Sequence, residues 1–257
     1  MNQRFVRFAL SEGGASHYGL CEENRVTKLE KPPWLGLFAT GDVFDRAEIT
    51  LKAPVEPSKI ICIGLNYHAH VAASLSADKP PEKPLIFLKP PSAIIGPNEK
   101  IIHPPQSERV DYEAELGLVI GRTARNVSIA EAEACLFGLT CVNDVTARDL
   151  QKVDGQWSRA KGFDTFCPVG PWVVTGVGWR DLLVQGVLND EIKQSGRTSQ
   201  MIFNVPYLIS YVSAVMTLYP GDLIATGTPA GIAPMKPGDK IEVRIEQVGT
   251  LVNWMAR

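Results

Sequence analysis

The sequence has few of the features that mark membrane, secreted or nucleic-acid-binding proteins. No apolar run follows the N-terminal methionine, and the longest apolar stretch, 205–219, contains Ser210 and Ser213 and is too short to span a bilayer. The 26 basic and 28 acidic side chains are interspersed, with a net charge of −2, so no basic face is available for nucleic acid or a membrane surface. We therefore predict a cytoplasmic protein whose partners are small molecules.

Paired cysteines and the common nucleophile or phosphate motifs are also missing. The five cysteines are widely spaced and include no Cys-x-x-Cys pair, which argues against a disulfide framework or thiolate zinc site and favours buried free thiols. There is no Gly-x-Ser-x-Gly elbow, no Walker loop and no complete Gly-x-Gly-x-x-Gly loop. The chemistry must therefore come from other residues.

What is present is a pattern of many short strands separated by proline and glycine. Nineteen prolines and 22 glycines punctuate 257 residues, and few segments have helical spacing, so we predict a β-rich α+β fold. A hairpin pattern with a turn at Glu12-Gly13-Gly14, followed by a proline-rich linker, divides the chain into a small N-terminal β subdomain (1–52) and a main domain (58–257).

The main domain carries the clearest element signals. Apolar runs predict strands at 60–65, 85–88, 111–120, 140–144, 223–228 and 240–245. Helices are predicted at 128–137, where Ser128 and Glu131 form a capping box, and at 202–218. A short helix and an exposed loop are expected between 66 and 84.

The acidic run around Glu113 and Glu115 is the most informative feature. Side chains alternate faces on a strand, so the two glutamates point the same way, about 6.6 Å apart. The opposite face is apolar and consists of Tyr112, Ala114, Leu116, Leu118 and Ile120. Two carboxylates at this separation repel by roughly 2–3 kcal/mol at an effective dielectric near 20, which calls for a counter-charge. A third acid, Asp144, ends another apolar strand.

A divalent cation is the obvious counter-charge for these three acids. Hard oxygen ligands without nearby histidine or thiolate favour Mg²⁺, Mn²⁺ or Ca²⁺ over zinc. Three carboxylates would also leave positions open for a chelating ligand. The alternative interpretation is the solvated polar face of an edge strand.

Four further residues have suitable chemistry. His70 follows a strand and could act as a general base near pH 7, or could be an ordinary surface histidine. Arg148, Gln151 and Lys161 follow Asp144 and could bind an anionic substrate or stabilise an enolate, or could form a surface ion-pair network.

Taken together, these segments resemble the fumarylacetoacetate hydrolase family, particularly its small one-chain members. The matching runs are 64–67 with His70, 87–90, 111–116, 143–149, 161–168 and 220–231. They occur in family order from about residue 58 to the C-terminus. Several long runs in the right order are far more specific than any single motif.

The resemblance implies a mixed β-sandwich roll that forms a homodimer. It implies a Mg²⁺ or Mn²⁺ ion, with Ca²⁺ possible in crystals, held by Glu113, Glu115 and Asp144. It implies catalytic roles for three residues, namely His70 on a closing lid, Lys161 and Gln151. It implies that the substrate is contacted by Tyr67, Arg148, Gly227 and Thr228.

Family substrates are 2-oxo acids with a second carbonyl or carboxylate, such as acylpyruvates, fumarylpyruvate and oxaloacetate. The shared chemistry is C–C cleavage, decarboxylation or tautomerisation through a metal-bound enolate. Our first expectation is a hydrolase of acylpyruvate-type diketo acids. The alternatives are an oxaloacetate-type decarboxylase, a 2-oxo or 2-hydroxy-diene acid tautomerase, and a catalytically silent protein that binds metal and 2-oxo acids.

One position departs from the hydrolytic pattern. Hydrolytic members commonly have a glutamate three residues after the lid histidine, where it would share a helical face with the imidazole. Here that position is Ala73, which cannot orient His70 by hydrogen bonding. Glu82, from the same segment, is a possible replacement.

Overall fold

The computed structural model describes residues 2–11, 13–73 and 79–257. These residues form nineteen strands and five α-helices. The strands are β1 (Gln3–Ala9), β2 (Ser16–Glu22), β3 (Arg25–Leu29), β4 (Ala39–Asp45), β5 (Thr50–Lys52), β6 (Ile60–Gly64), β7 (Leu85–Lys89), β8 (Ile94–Ile95), β9 (Lys100–Ile102), β10 (Val110–Asp111), β11 (Ala114–Ile120), β12 (Leu136–Asn143), β13 (Thr146–Ala147), β14 (Cys167–Thr175), β15 (Leu183–Leu188), β16 (Glu191–Arg197), β17 (Leu223–Ala225), β18 (Lys240–Ile245) and β19 (Gly249–Ala256). The helices are α1 (His68–Ala73), α2 (Ile129–Ala132), α3 (Arg148–Asp154), α4 (Ser158–Lys161) and α5 (Val205–Val215).

Two main sheets make up the fold. The larger has twelve strands, with the order β4-β3-β2-β1-β14-β12-β11-β17-β6-β7, while β5 pairs with β1 and β8 with β14. The smaller has five strands in the order β16-β15-β18-β19-β9. Strands β10 and β13 form a separate two-stranded sheet. Most pairs are antiparallel, but β17 and β6 are parallel, so the large sheet is mixed. The predicted β-rich fold of mixed sheets with few helices is confirmed.

The N-terminal strands continue the large sheet. Strand β1 pairs antiparallel with β14, with Arg4 opposite Val174. Strands β2 and β3 follow beyond β1 and extend the sheet. The hairpin of β1 and β2 was expected, although Glu12 of its predicted turn lies outside the described residues. The division of the chain at 52–58 stays a prediction.

Strand β11 lies at the centre of the core. Leu116, Leu118 and Ile120 face a large apolar cluster that includes Leu208 and Val212 of α5. Full burial of each such side chain stabilises the fold by about 1.5–3 kcal/mol relative to exposure. The predicted alternation of side chains between the two faces of the strand therefore holds from residue 114 onward.

The strand predicted at 111–120 is interrupted before Ala114. Residues 112 and 113 separate β10 from β11, and Tyr112 packs in a different cluster, with Val145 and Phe166. Its hydroxyl donates a hydrogen bond to the Gly231 carbonyl at 3.0 Å. The break places Glu113 immediately before the first residue of β11 rather than within the strand.

Both predicted helices are shorter in the structure than in the sequence pattern. Helix α2 ends at Ala132 because Leu136 already begins β12, which pairs with β11, so tertiary pairing overrides local helical spacing. Helix α5 begins after Asn204, whose side chain accepts a hydrogen bond from the Tyr207 N–H, and ends before Met216. The Ser128–Glu131 cap is present, with the Ser128 N–H donating to the Glu131 carboxylate.

Three further expectations concern the thiols, membrane-spanning helices and the loop between 66 and 84. All five cysteines are free and buried, as predicted. Among the described residues, no helix is long and apolar enough to cross a membrane. The expected loop between 66 and 84 falls partly on 74–78, which lie outside the described residues.

Candidate active site

The pairing of β11 with β12 brings the three acids together. Ala114 lies opposite Asn143, so Glu113 and Glu115 flank the end of β12, from which Asp144 emerges. The Asp144 N–H donates to the Glu113 carbonyl and the Glu113 N–H to Asn143 Oδ1, both at 2.9 Å. One carboxylate oxygen of each acid lies within 4.8 Å of the others, and all three side chains are buried.

Two buried lysines and the partly buried Arg148 balance much of this negative charge. Lys161 Nζ donates to Glu113 at 3.0 Å and to Asp144 at 2.5 Å. Lys89 Nζ donates to the other Asp144 oxygen at 2.5 Å, and Arg148 pairs with Glu113. The repulsion inferred from sequence is therefore relieved at two of the acids by the protein itself.

Glu115 is the acid without such a partner. One of its oxygens accepts a hydrogen bond from the Gly227 N–H at 2.8 Å, and none of the described basic side chains forms an ion pair with it. Burial, together with the charges of Asp144 and Glu113, raises the pKa of Glu115 well above its ordinary value. At Glu113 burial acts in the same direction, but Lys161 and Arg148 outweigh it and lower the pKa.

The donor set fits a hard divalent cation. Three carboxylates converge, no imidazole or thiolate is among them, and Glu115 lacks a counter-ion among the described groups. A bound cation at this point would stabilise the ionised form of Glu115. Glu113, Glu115 and Asp144 are the residues that would hold it.

Most of the predicted site residues line one pocket beside these acids. His70, Lys161, Gln151, Arg148 and Thr228 all do so, and Ile63, Leu65, Phe87 and Trp157 supply apolar walls. The Phe87 ring lies 4.7 Å from Lys161 Nζ and meets the Trp157 ring edge-on. The Lys161 ammonium group therefore contacts an aromatic ring as well as two carboxylates.

His70 lies in α1, next to this pocket, and is buried. Burial lowers its pKa, and the nearby Arg148 and Lys161 add to the shift, against the opposing charge of Glu113. Within the described part of the chain, no carboxylate accepts a hydrogen bond from the imidazole. Glu82 does not replace the expected glutamate, because it is exposed, 3.9 Å from Lys79.

Arg148 and Gln151 lie three residues apart in α3 and so share one helix face. The Arg148 guanidinium donates to Asp111 at 3.0 Å, to Gln151 Oε1 at 2.6 Å and to Glu113. These bonds leave the Gln151 amide NH₂ as that residue's donor. The Arg148 bonds use three of the five guanidinium N–H groups, so a substrate would be contacted through one of the other two or by exchange of one of these bonds.

Thr228 and Gly227 follow β17 and meet the start of β11. The Thr228 hydroxyl donates to the Ala114 carbonyl at 2.9 Å and lines the pocket. Gly227 has φ +97°, and a Cβ there would lie 2.7 Å from the Asn66 side chain, so glycine is required for the Gly227 N–H to reach Glu115.

Tyr67 lies elsewhere. It lines a neighbouring cleft with Ser195 and Gln200, and its buried hydroxyl has no hydrogen-bond partner among the described residues. Burial and the charge of Glu115 raise its pKa, so the phenol stays protonated. The structure thus places it near the acids but not in the wall of the same pocket.

Two buried residues that form hydrogen bonds with residues of the site were not predicted from the sequence. Lys89 ends the apolar strand β7, and a lysine closing an apolar run next to a predicted acidic cluster was a usable signal. Gln194 lies in β16 and bonds to Ala114 and Thr228, but nothing in the polar sequence of that strand distinguishes it.

Comparison with known proteins assigns the chain to a family. The profile described as "Fumarylacetoacetate (FAA) hydrolase C-terminal" matches residues 59–256, and one described as "Rv2993c-like, N-terminal" matches residues 3–54. The chain belongs to the fumarylacetoacetate hydrolase family.

Individual relatives of this chain in the fumarylacetoacetate hydrolase family carry different names. Protein Rv2993c of Mycobacterium tuberculosis is 48% identical over 98% of this chain and 94% of its own. "Oxaloacetate tautomerase FAHD2A, mitochondrial" of Homo sapiens is 41% identical over 82% of this chain and 71% of its own. The solved 2-hydroxyhepta-2,4-diene-1,7-dioate isomerase of Mycobacterium marinum is 42% identical, with a TM-score of 0.91 over 99% of this chain and 98% of that one.

Proposed function

We propose that this protein is a divalent-metal-dependent tautomerase of small 2-oxo acids of the oxaloacetate type. The observation that carries the proposal is the environment of His70. Its imidazole is held neutral by burial, lines the pocket with Lys161 and the three acids, and has no described carboxylate partner. This arrangement suits the movement of one proton on a substrate better than the activation of water, for which an orienting acid is usual.

The proposed chemistry divides the work among groups of the chain. A Mg²⁺ or Mn²⁺ ion, when bound by Glu113, Glu115 and Asp144, supplies Lewis-acid polarisation of a substrate carbonyl. His70 accepts a proton from the carbon next to that carbonyl, and the C–H electron pair forms the C=C bond. The Lys161 ammonium, which Asp144 and Glu113 keep protonated, stabilises the negative charge on oxygen. His70 then returns the proton to that oxygen, which gives the enol.

The names of two relatives support this choice over our first expectation. One similar protein is named as an oxaloacetate tautomerase and one similar structure as an isomerase of a hydroxy-diene dioate. Ala73 removes the acid that hydrolytic members commonly use. A homodimer and a cytoplasmic location remain parts of the proposal.

The test measures two reactions, each with Mg²⁺ and with EDTA. One is the enol–keto conversion of oxaloacetate, monitored by ultraviolet absorbance, and the other is the cleavage of acetylpyruvate. We expect fast metal-dependent conversion, and a loss of about 10²–10⁴-fold in His70→Gln, the usual contribution of a general base. The matched control is His68→Gln, because His68 lies in the same helix and is exposed.

Three other results would each overturn the proposal. Efficient acetylpyruvate cleavage without conversion would restore the hydrolase, which the family description favours. Rapid CO₂ release from oxaloacetate would indicate a decarboxylase. Tight metal-dependent binding of oxalate without turnover of any substrate would indicate a silent binding protein.

A further inference from the structure

The buried side chain of Gln194 connects the five-stranded sheet with the acidic site. It belongs to β16 and has no exposed surface. Its Oε1 accepts a hydrogen bond from the Ala114 N–H at 2.9 Å. Its Nε2 donates to Thr228 Oγ1 and to the Pro229 carbonyl, both at 2.7 Å.

These bonds fix Ala114, the residue between the two glutamates. The Ala114 N–H binds Gln194 directly, and the Ala114 carbonyl accepts from the Thr228 hydroxyl, which Gln194 holds in turn. Both backbone polar groups of Ala114 therefore depend on one amide. Because Glu113 and Glu115 are its chain neighbours, the direction of both carboxylates depends on this peptide.

The fold makes room for the amide. A Cβ at Gly186, the residue opposite Gln194 in β15, would lie 2.6 Å from Gln194 Oε1. An apolar side chain in place of Gln194 would leave the Ala114 N–H and the Pro229 carbonyl without this partner in a buried setting. A buried polar group that loses its partner costs free energy and tends to move.

We propose that Gln194 is a positioning residue, which fixes the spacing of Glu113 and Glu115 for a divalent cation and aims Thr228 into the pocket. This inference rests on the proposed metal site. It assigns the role to a residue of the second sheet, outside the short sequence runs from which the resemblance to the family was identified.

The test measures Mn²⁺ binding to metal-free protein by electron paramagnetic resonance, independently of turnover. We expect Gln194→Met to weaken binding by about ten- to a hundredfold, the usual cost of losing an outer support of a metal site. The matched control is Asn253→Leu. Asn253 is also a buried amide, but it donates to the carbonyls of Gly96 and Glu99, which do not line the pocket.

Both variants should melt at a lower temperature than the wild type, whereas only Gln194→Met should bind Mn²⁺ more weakly. If Gln194→Met does not fold, Gln194→Glu, which keeps the acceptor for the Ala114 N–H, carries the test. Thr228→Val, which removes the hydroxyl that Gln194 holds, should weaken binding by a second route.

The outcomes separate this inference from the function on which it rests. A wild-type protein that binds no Mn²⁺ would remove the metal site and the proposed function with it. A wild-type protein that binds Mn²⁺, with Gln194→Met, Gln194→Glu and Thr228→Val all binding equally well, would remove only the role of Gln194. Equal weakening in Asn253→Leu would show a general loss of stability and would also overturn it.

Discussion

The two sides of the acidic cluster balance their charge in opposite ways. On the paired side, Glu113 and Asp144 are bonded to Lys161, Arg148 and Lys89. On the open side, Glu115 receives one backbone N–H and forms no ion pair with a described basic side chain, and burial together with two like charges outweighs the opposing charge of Lys161. Paired carboxylates are stable in the protein alone, whereas an unpaired one needs a cation or a proton. The difference indicates that a metal would contribute most to stability on the open side.

The largest expected effect is on the paired side. Glu113→Gln removes the negative charge that Arg148 and Lys161 share and turns an amide NH₂ toward one of them, so we expect metal-free protein to lose about 3–5 kcal/mol of unfolding free energy, as when a buried ion pair is broken. Urea unfolding in EDTA measures this loss. A variant as stable as the wild type would contradict the distinction between the two sides.

Glu115→Gln should behave differently in the same buffer. Removal of a repelled carboxylate should leave metal-free stability unchanged or raise it by on the order of 1 kcal/mol. Metal affinity should fall by at least about a hundredfold, because loss of a ligand exceeds the usual cost of an outer support. Calorimetric titration with Mn²⁺ measures the second effect, and undiminished affinity would exclude Glu115 as a ligand.

Two lysine variants compare the site with a similar pair elsewhere. Lys59 pairs with the buried carboxylate of Asp222, as Lys89 does with that of Asp144. Lys89→Met and Lys59→Met should each lower stability, by about 1–3 kcal/mol. Added Mg²⁺ should restore Lys89→Met, since a divalent ion can replace the lost charge, but not Lys59→Met. Thermal melts with and without Mg²⁺ decide between these outcomes.

The smallest effect is a dependence on pH in EDTA. Because its folded pKa is raised, Glu115 contributes stability that is fully present below its ordinary pKa of 4.5 and is lost as pH rises through the folded value. Glu113, with a lowered pKa, contributes in the opposite sense, but it is present in both proteins. The stability advantage of Glu115→Gln over the wild type should therefore widen above pH 4.5. A constant difference from pH 4 to 8 would argue against the raised pKa.

The sequence allowed the acidic site to be predicted because it depends on local rules. Glu113 and Glu115 were predicted together because they are close in the chain, although Glu113 lies just outside β11, and the end of an apolar strand marked Asp144. The roles of Lys89 and Gln194 were not predicted, because these residues bond to site residues that are far away in the sequence. The periodicity of a sequence carries no information about such pairs. The predicted helix at 128–137 was too long, because its last residues begin strand β12.

The matched numbers of acids and cations around the acidic cluster also bear on the sequence of events during turnover. With all three carboxylates ionised, Glu113, Glu115 and Asp144 balance the charges of Lys89, Lys161 and Arg148, and with Glu115 protonated the metal-free cluster carries only one positive charge, so it attracts an anion weakly. A divalent ion would leave it doubly positive. Kinetics should then show ordered association, in which the ion enters first and a dianionic acid second.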